Sequence, residues 1–106
     1  MDVLYNDCDA VRAPELERFM NPHALKAFET KPSAPAWADK TFDGRRAYIR
    51  TLKDQCNPVS LQDLWLEKSR VKWDVVDFET GHMPFVSQPK SLAREIVRLV
   101  QGFMKL

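Results

Sequence analysis

Between positions 46 and 103 the spacing of apolar residues changes character three times, and this alternation restricts the fold more than any other feature of the chain. Residues 46–51 read as a strand, with Ala47 and Ile49 alternating against Tyr48 and Arg50. Asn57-Pro58 is a helix-start pair, Asn as cap and Pro in the first turn. Leu61, Leu64, Trp65 and Lys68 then form an amphipathic stripe that ends near Arg70. Residues 72–78 are rich in strand formers. A loop broken by Gly81, Pro84 and Pro89 follows, and Ser87 is placed to cap a last helix. That helix shows Leu92, Ala93, Ile96, Leu99, Val100 and Phe103 on one wide face, as a helix lying on a sheet does. Strand, helix, strand, helix in this order implies parallel strands joined by a right-handed crossover. The expected class is α/β.

Two loops then fall just past the carboxyl ends of the strands, the edge at which open parallel sheets bind ligands. One is Thr51-Leu-Lys-Asp54-Gln-Cys-Asn-Pro58, the other Gly81-His-Met-Pro-Phe-Val-Ser-Gln-Pro89. Each carries one group able to hold or move a proton: Asp54 and His82. A carboxylate beside an imidazole holds one ring nitrogen, fixes the tautomer and stabilises the charged ring. The other nitrogen then removes or delivers a proton near neutral pH. That chemistry suits proton abstraction beside a carbonyl, elimination, isomerisation or cyclisation. Candidate substrate contacts are Trp37, Tyr5, Phe85 and Cys56. Trp37 anchors the Pro- and Gly-containing stretch 31–44; its simplest role is a plug over apolar surface, and its alternative is to line a pocket. Packing is likewise the simpler role for Tyr5 and Tyr48, and His23 reads as a surface or boundary histidine. A variant of the site would shape a reactive substrate with Trp37, Trp65 and Phe85 and do little proton chemistry.

The first part of the chain reads as cover. Residues 1–8 look extended, with Val3 and Tyr5 alternating against polar neighbours. Pro14, Glu15 and Glu17 suit a first helical turn, and Leu16, Phe19 and Met20 fall on one face. Asn21-Pro22 stops that helix, and Ala24, Leu25, Ala27 and Phe28 give the next piece an apolar side. Asp9, Glu15 and Glu17 are most simply solvated charges at a helix start. One domain is expected, with cover and linker over 1–44 and a core over 45–106.

Charge and composition exclude several classes. The 16 basic and 15 acidic residues are interspersed, so the basic cluster that nucleic-acid binding needs is missing. The apolar runs are too short for a bilayer span, and membrane association is not expected. The start, Met1-Asp-Val-Leu-Tyr-Asn-Asp7, lacks the basic-then-hydrophobic order of a secretory signal, which points to the cytoplasm. Cys8 and Cys56 are too few for a disulfide framework or a zinc site and read as ordinary reduced thiols. Metal-ligand clusters and glycine-rich phosphate loops are absent, so neither metal nor cofactor is expected.

Residues 46–106 resemble the C-terminal portion of the α/β-hydrolase fold. They look most like the branch of small esterases, hydroxynitrile lyases and fungal hydrolase-like proteins. The resemblance is carried by Tyr48-Ile-Arg-Thr-Leu-Lys-Asp54 with Pro58 and Gln62, by Gly81-His82 through Pro89, and by the 28-residue separation of Asp54 and His82. Residues 1–37 are similar to the end of that branch's helical lid, in Leu4-Tyr-Asn-Asp7 and in Trp37. The resemblance implies Asp54 as triad acid and His82 as triad base. The chain departs from the family at the nucleophile. The family sets it on a G-x-S-x-G elbow, ahead of the acid and the histidine. Gly44, Gly81 and Gly102 are the only glycines, and none is spaced for an elbow. The elbow and oxyanion strands would precede Met1.

The expected protein is therefore a truncated α/β-hydrolase-like unit, a short parallel β-α-β-α core preceded by small lid-like helices. Its expected function is cofactor-independent general acid/base chemistry on a small organic substrate, a lyase, isomerase or cyclase reaction. The resemblance to fungal proteins suggests a natural product. The alternative is a non-catalytic binding module, or a fragment completing a separate hydrolase-like subunit that supplies the serine. A bare edge on strand 46–51 predicts a homodimer.

Overall fold

The structure, a computed structural model, describes residues 3–106. In chain order its elements are α1 (Arg12–Glu17), α2 (Leu25–Glu29), two 3-10 turns (Ala36–Ala38 and Lys40–Phe42), β1 (Ala47–Thr51), α3 (Val59–Ser69), β2 (Asp74–Phe78), α4 (Pro84–Ser87) and α5 (Pro89–Phe103). The strands pair in parallel, Ala47 opposite Asp74 and Thr51 opposite Phe78, so both finish at one edge. The protein is a small α/β unit with a parallel β-α-β-α core.

The sheet is short of apolar cover. Among the described residues the buried apolar side chains are Ala13, Phe78, Pro84 and Leu99, while Arg46, Thr51, Asp54, Gln62 and Thr80 are buried and polar. The expected stripe on α3 is displaced. Gln62 is its buried residue, with half-buried Val59, Leu66 and Ser69 on the same side, whereas Leu64 and Trp65 are exposed. The cause is a hydrogen-bonding demand at the strand edge. Thr51 turns its N–H away from β2, and the Gln62 carboxamide accepts it at 3.1 Å while donating to the Thr51 carbonyl at 2.9 Å. At that position one side chain does the work of a neighbouring strand.

Helix ends also differ from expectation. Pro58 occupies the cap position of α3 and Asn57 makes no side-chain cap. The helix stops at Arg70, which takes the left-handed conformation at φ 55°. Ser87 does not cap α5. The loop winds into α4, the Ser87 hydroxyl turns back to the Met83 carbonyl, and Pro89 opens α5 after Gln88.

The N-terminal cover is thinner than its sequence suggests. The extended reading of residues 1–8 is corrected over 3–8, which form turns, with the Cys8 N–H on the Tyr5 carbonyl; Met1 and Asp2 lie outside the described residues. Asp9 caps α1, accepting from the N–H groups of Val11 and Arg12 at 2.9 and 3.1 Å. The helix therefore begins before Pro14. Phe19, Leu25 and Phe28 are all exposed, so the two short helices have no joint apolar core. The linker is held instead by buried Arg46. It donates to the carbonyls of Trp37 at 2.5 Å and Asp39 at 2.7 Å, and to the Asp43 carboxylate at 2.6 Å. On the sheet, Arg50 grips Asp77 of β2 with two nitrogens and Asp63 of α3 with a third, tying three elements together.

Candidate functional site

Asp54 stands three residues past the end of β1, in a loop folded around its carboxylate. Oδ1 accepts the backbone N–H groups of Cys56 at 2.9 Å and Asn57 at 2.8 Å. Oδ2 accepts the Thr51 hydroxyl at 2.8 Å. The side chain is almost wholly buried. Gln62 closes the loop from below, since its amide nitrogen donates to the carbonyls of Thr51 and, at 2.7 Å, Asn57, one at each end of the turn. Burial pushes the Asp54 carboxyl up. The hydrogen bonds from Asn57, His82 and Thr51, with the charge on His82, outweigh it and hold the group below the ordinary carboxylate range.

His82 comes from the loop after β2. Its Nδ1 lies 2.9 Å from Asp54 Oδ2 and 3.2 Å from Oδ1. An ionised carboxylate only accepts, so this contact fixes the proton on Nδ1 and leaves Nε2 as the nitrogen with a free lone pair. The ring is about one-quarter exposed. It borders a cleft of about 360 Å³ at the outer side of β1. Tyr48, Thr51, Asn57 and Gln62 supply its polar wall, with Asp54 and His82; Ile49, Pro84, Phe85, Leu92 and Ile96 supply an apolar one. That mixture suits a small, largely apolar organic molecule presented to a proton-transfer group.

Of the six residues expected at the site, three line this cleft: Asp54, His82 and Phe85. Trp37 does not. It packs against Trp73 at a ring-centroid distance of 5.7 Å and lines a separate aromatic recess with Tyr48, Trp65, Leu66, Ser69 and Trp73, because Arg46 holds its backbone there. Trp65 belongs to the same recess, so the shaping trio of Trp37, Trp65 and Phe85 is not assembled. Tyr5 is half-buried in the N-terminal turns and is not among the lining residues. Cys56 is exposed and serves Asp54 through its backbone N–H, with its thiol outside the cleft lining. Burial and the nearby Asp7 carboxylate push the Cys8 thiol up, away from nucleophilic use. His23 packs edge-on against Phe28 on the surface.

Sequence reasoning missed the supports. Gln62 stood in the motif, but nothing in an amphipathic stripe marks a glutamine as the buried face. The two backbone donors of the Asp54 turn have no side-chain pattern to find. The signal that was available is the short spacing Thr51-x-x-Asp54-x-x-Asn57, which is that of a carboxylate closing its own turn.

No family model matches the chain, and no curated protein matches it. A solved structure does: a crystal structure of a novel pyrethroid hydrolase, PytH, as a serine-to-alanine variant. It is similar at 26% identity and a TM-score of 0.55, over 58% of this chain. The chain spans 25% of that protein's length. The neighbour has the α/β-hydrolase fold, and the likeness supports a hydrolase-like unit here. Among the described residues no helix is long and apolar enough to cross a membrane.

Proposed function

We propose that Asp54 and His82 form a general acid/base pair that acts on a small organic substrate bound in the β1 cleft, without a cofactor. The observation that carries this reading is the 2.9 Å contact of His82 Nδ1 with a carboxylate that is itself held by three other donors. A histidine tethered in this way presents Nε2 to the cleft as base, and the resulting imidazolium as acid. The reactions that need only these two groups are elimination, isomerisation and cyclisation beside a carbonyl. The test is turnover of a panel of small carbonyl compounds and esters by the purified protein. His82→Ala should cut the rate roughly 10²–10⁴-fold, the range for loss of one acid/base group. A loss of only a few-fold would remove His82 from the chemistry and leave the cleft a binding pocket.

A second reading follows from the same two residues. The chain would supply acid and histidine to a hydrolase-like subunit that carries the serine. The likeness to one quarter of a hydrolase favours it. Turnover by the isolated chain excludes this reading; capture of a partner bearing a serine elbow, with activity only in the mixture, supports it.

Assembly belongs to the proposal. The outer edge of β1 is met by Gln62 at Thr51, and among the described residues Ala47 and Ile49 have no such side-chain partner. Ile96 and Val100 on α5 are about half exposed. A second copy covering this edge gives a homodimer with the cleft enclosed at its seam.

A further inference from the structure

The dipeptide Asn6-Asp7 makes two contacts with residues far along the chain, 47 and 74 positions away. The Asp7 carboxylate accepts the Gly81 N–H at 2.7 Å, one residue before His82. The Asn6 carboxamide donates to the Lys53 carbonyl at 3.3 Å, one residue before Asp54. The two loops already meet once through their backbones, where the Lys53 N–H donates to the Thr80 carbonyl at 3.0 Å. With the Leu52 N–H on the Phe78 carbonyl at 2.9 Å, that bond fixes where the loops leave the strands. The contacts from Asn6 and Asp7 fall one step further on, at the groups next to Asp54 and His82.

Gly81 is cut to the same fit. A Cβ built there would run into Asn6 Oδ1 and lie 2.7 Å from Asp7 Oδ1, both side-chain ends, so the dipeptide would have to give way. Its φ is not in the left-handed region, so backbone strain does not call for glycine here. Close approach of the dipeptide does. Thr80 beside it is wholly buried, and Gly81 is buried as well.

We infer that Asn6 and Asp7 are positioning residues: they form a strap that sets the His82 ring against Asp54 by holding the residue before each. The inference rests on the proposed acid/base role. It assigns the N-terminal turns a part in the site, although neither side chain lines the cleft. Both are exposed, so water replaces their hydrogen bonds cheaply and overall stability depends little on them. Position of the ring does depend on them, since small displacements of a reacting group cost large factors in rate.

The experiment reads the His82–Asp54 contact directly. In the unaltered protein, proton NMR should show a downfield His82 Nδ1–H resonance that Asp54→Asn removes. Asp7→Ala should lose it as well, through exchange with solvent, while the β1 and β2 amide signals and the urea midpoint stay in place. Asp7→Asn keeps an acceptor oxygen and should restore the resonance. Gly81→Ala should lose it by pushing the strap away. If Asp7→Ala does not fold, Asn6→Ala, which breaks only the Lys53 arm, gives the reading: loss of the resonance supports the strap. A resonance as sharp in Asp7→Ala or Asn6→Ala as in the unaltered protein, with Asp54→Asn lacking it, overturns the strap and leaves the pair standing. Its absence from the unaltered protein overturns both.

Discussion

Gln62→Leu is the substitution whose cost the structure states most directly. The side chain is 1% exposed and satisfies three backbone groups: the Thr51 N–H at 3.1 Å, the Thr51 carbonyl at 2.9 Å and the Asn57 carbonyl at 2.7 Å. Two longer contacts of 3.4 Å, from the hydroxyls of Thr51 and Tyr48, add little. Leucine has nearly the same volume, so no large cavity opens and the loss is one of hydrogen bonding. Each buried backbone group left without a partner costs roughly 1–3 kcal/mol. Part of that cost returns when water enters from the cleft, which Gln62 borders. The expected net loss is about 3 kcal/mol, taking the lower end for each of the three groups. A domain of this size has a total stability of roughly 5–15 kcal/mol, so the change is large. Urea unfolding followed by far-ultraviolet circular dichroism should show the midpoint falling with an unchanged slope. A loss below about 1 kcal/mol would refute the reasoning, because the cost of even one unpaired buried group would then be missing. Gln62→Glu should do worse, since it sets an acceptor against two carbonyls and beside Asp54.

Four further outcomes follow. Asp54 has a folded pKa below its unfolded value near 4, so its contribution to stability is complete above that value and is lost as pH falls through the folded pKa. Urea midpoints measured from pH 7 to pH 2 should therefore fall more steeply for the unaltered protein than for Asp54→Asn. Arg46→Met removes three donors from the 37–43 segment; it should lower stability by roughly 1.5–3 kcal/mol and open that segment to limited proteolysis. Cys56→Ser keeps the backbone N–H that serves Asp54, so turnover should hold within a factor of about two, as expected for a group outside the reaction. Sedimentation at micromolar concentration should give twice the monomer mass; a stable monomer would end the dimer proposal.

The core of the fold was legible because strands and amphipathic helices repeat with different periods. β1, β2 and α5 fall where that spacing put them, and the acid and histidine follow from the two strand ends. What could not be read depends on contacts between distant positions. The buried face of α3 is chosen by an unpaired N–H on β1, so Gln62 goes inside and Trp65 stays out. Trp37 leaves the cleft because Arg46 holds its carbonyl, an arrangement without a periodic trace. The N-terminal stripe through Leu16, Phe19 and Met20 misled for the opposite reason: its pattern is helical, but Phe19 and Met20 are exposed, as are Leu25 and Phe28 on the helix that follows.

The strap also has a consequence for the order in which the molecule assembles. Its two contacts join residues 47 and 74 positions apart, whereas β1 meets β2 over 27. Pairing of the strands around α3 closes the shorter loop and is the cheaper event entropically. On a growing chain Asn6 and Asp7 emerge before either loop, and Asp7 has no partner in Gly81 until that residue has left the ribosome. The step that locks His82 against Asp54 is then a late one, taken after the secondary structure is in place. Refolding watched at the strand amides should finish before refolding watched at the His82 ring.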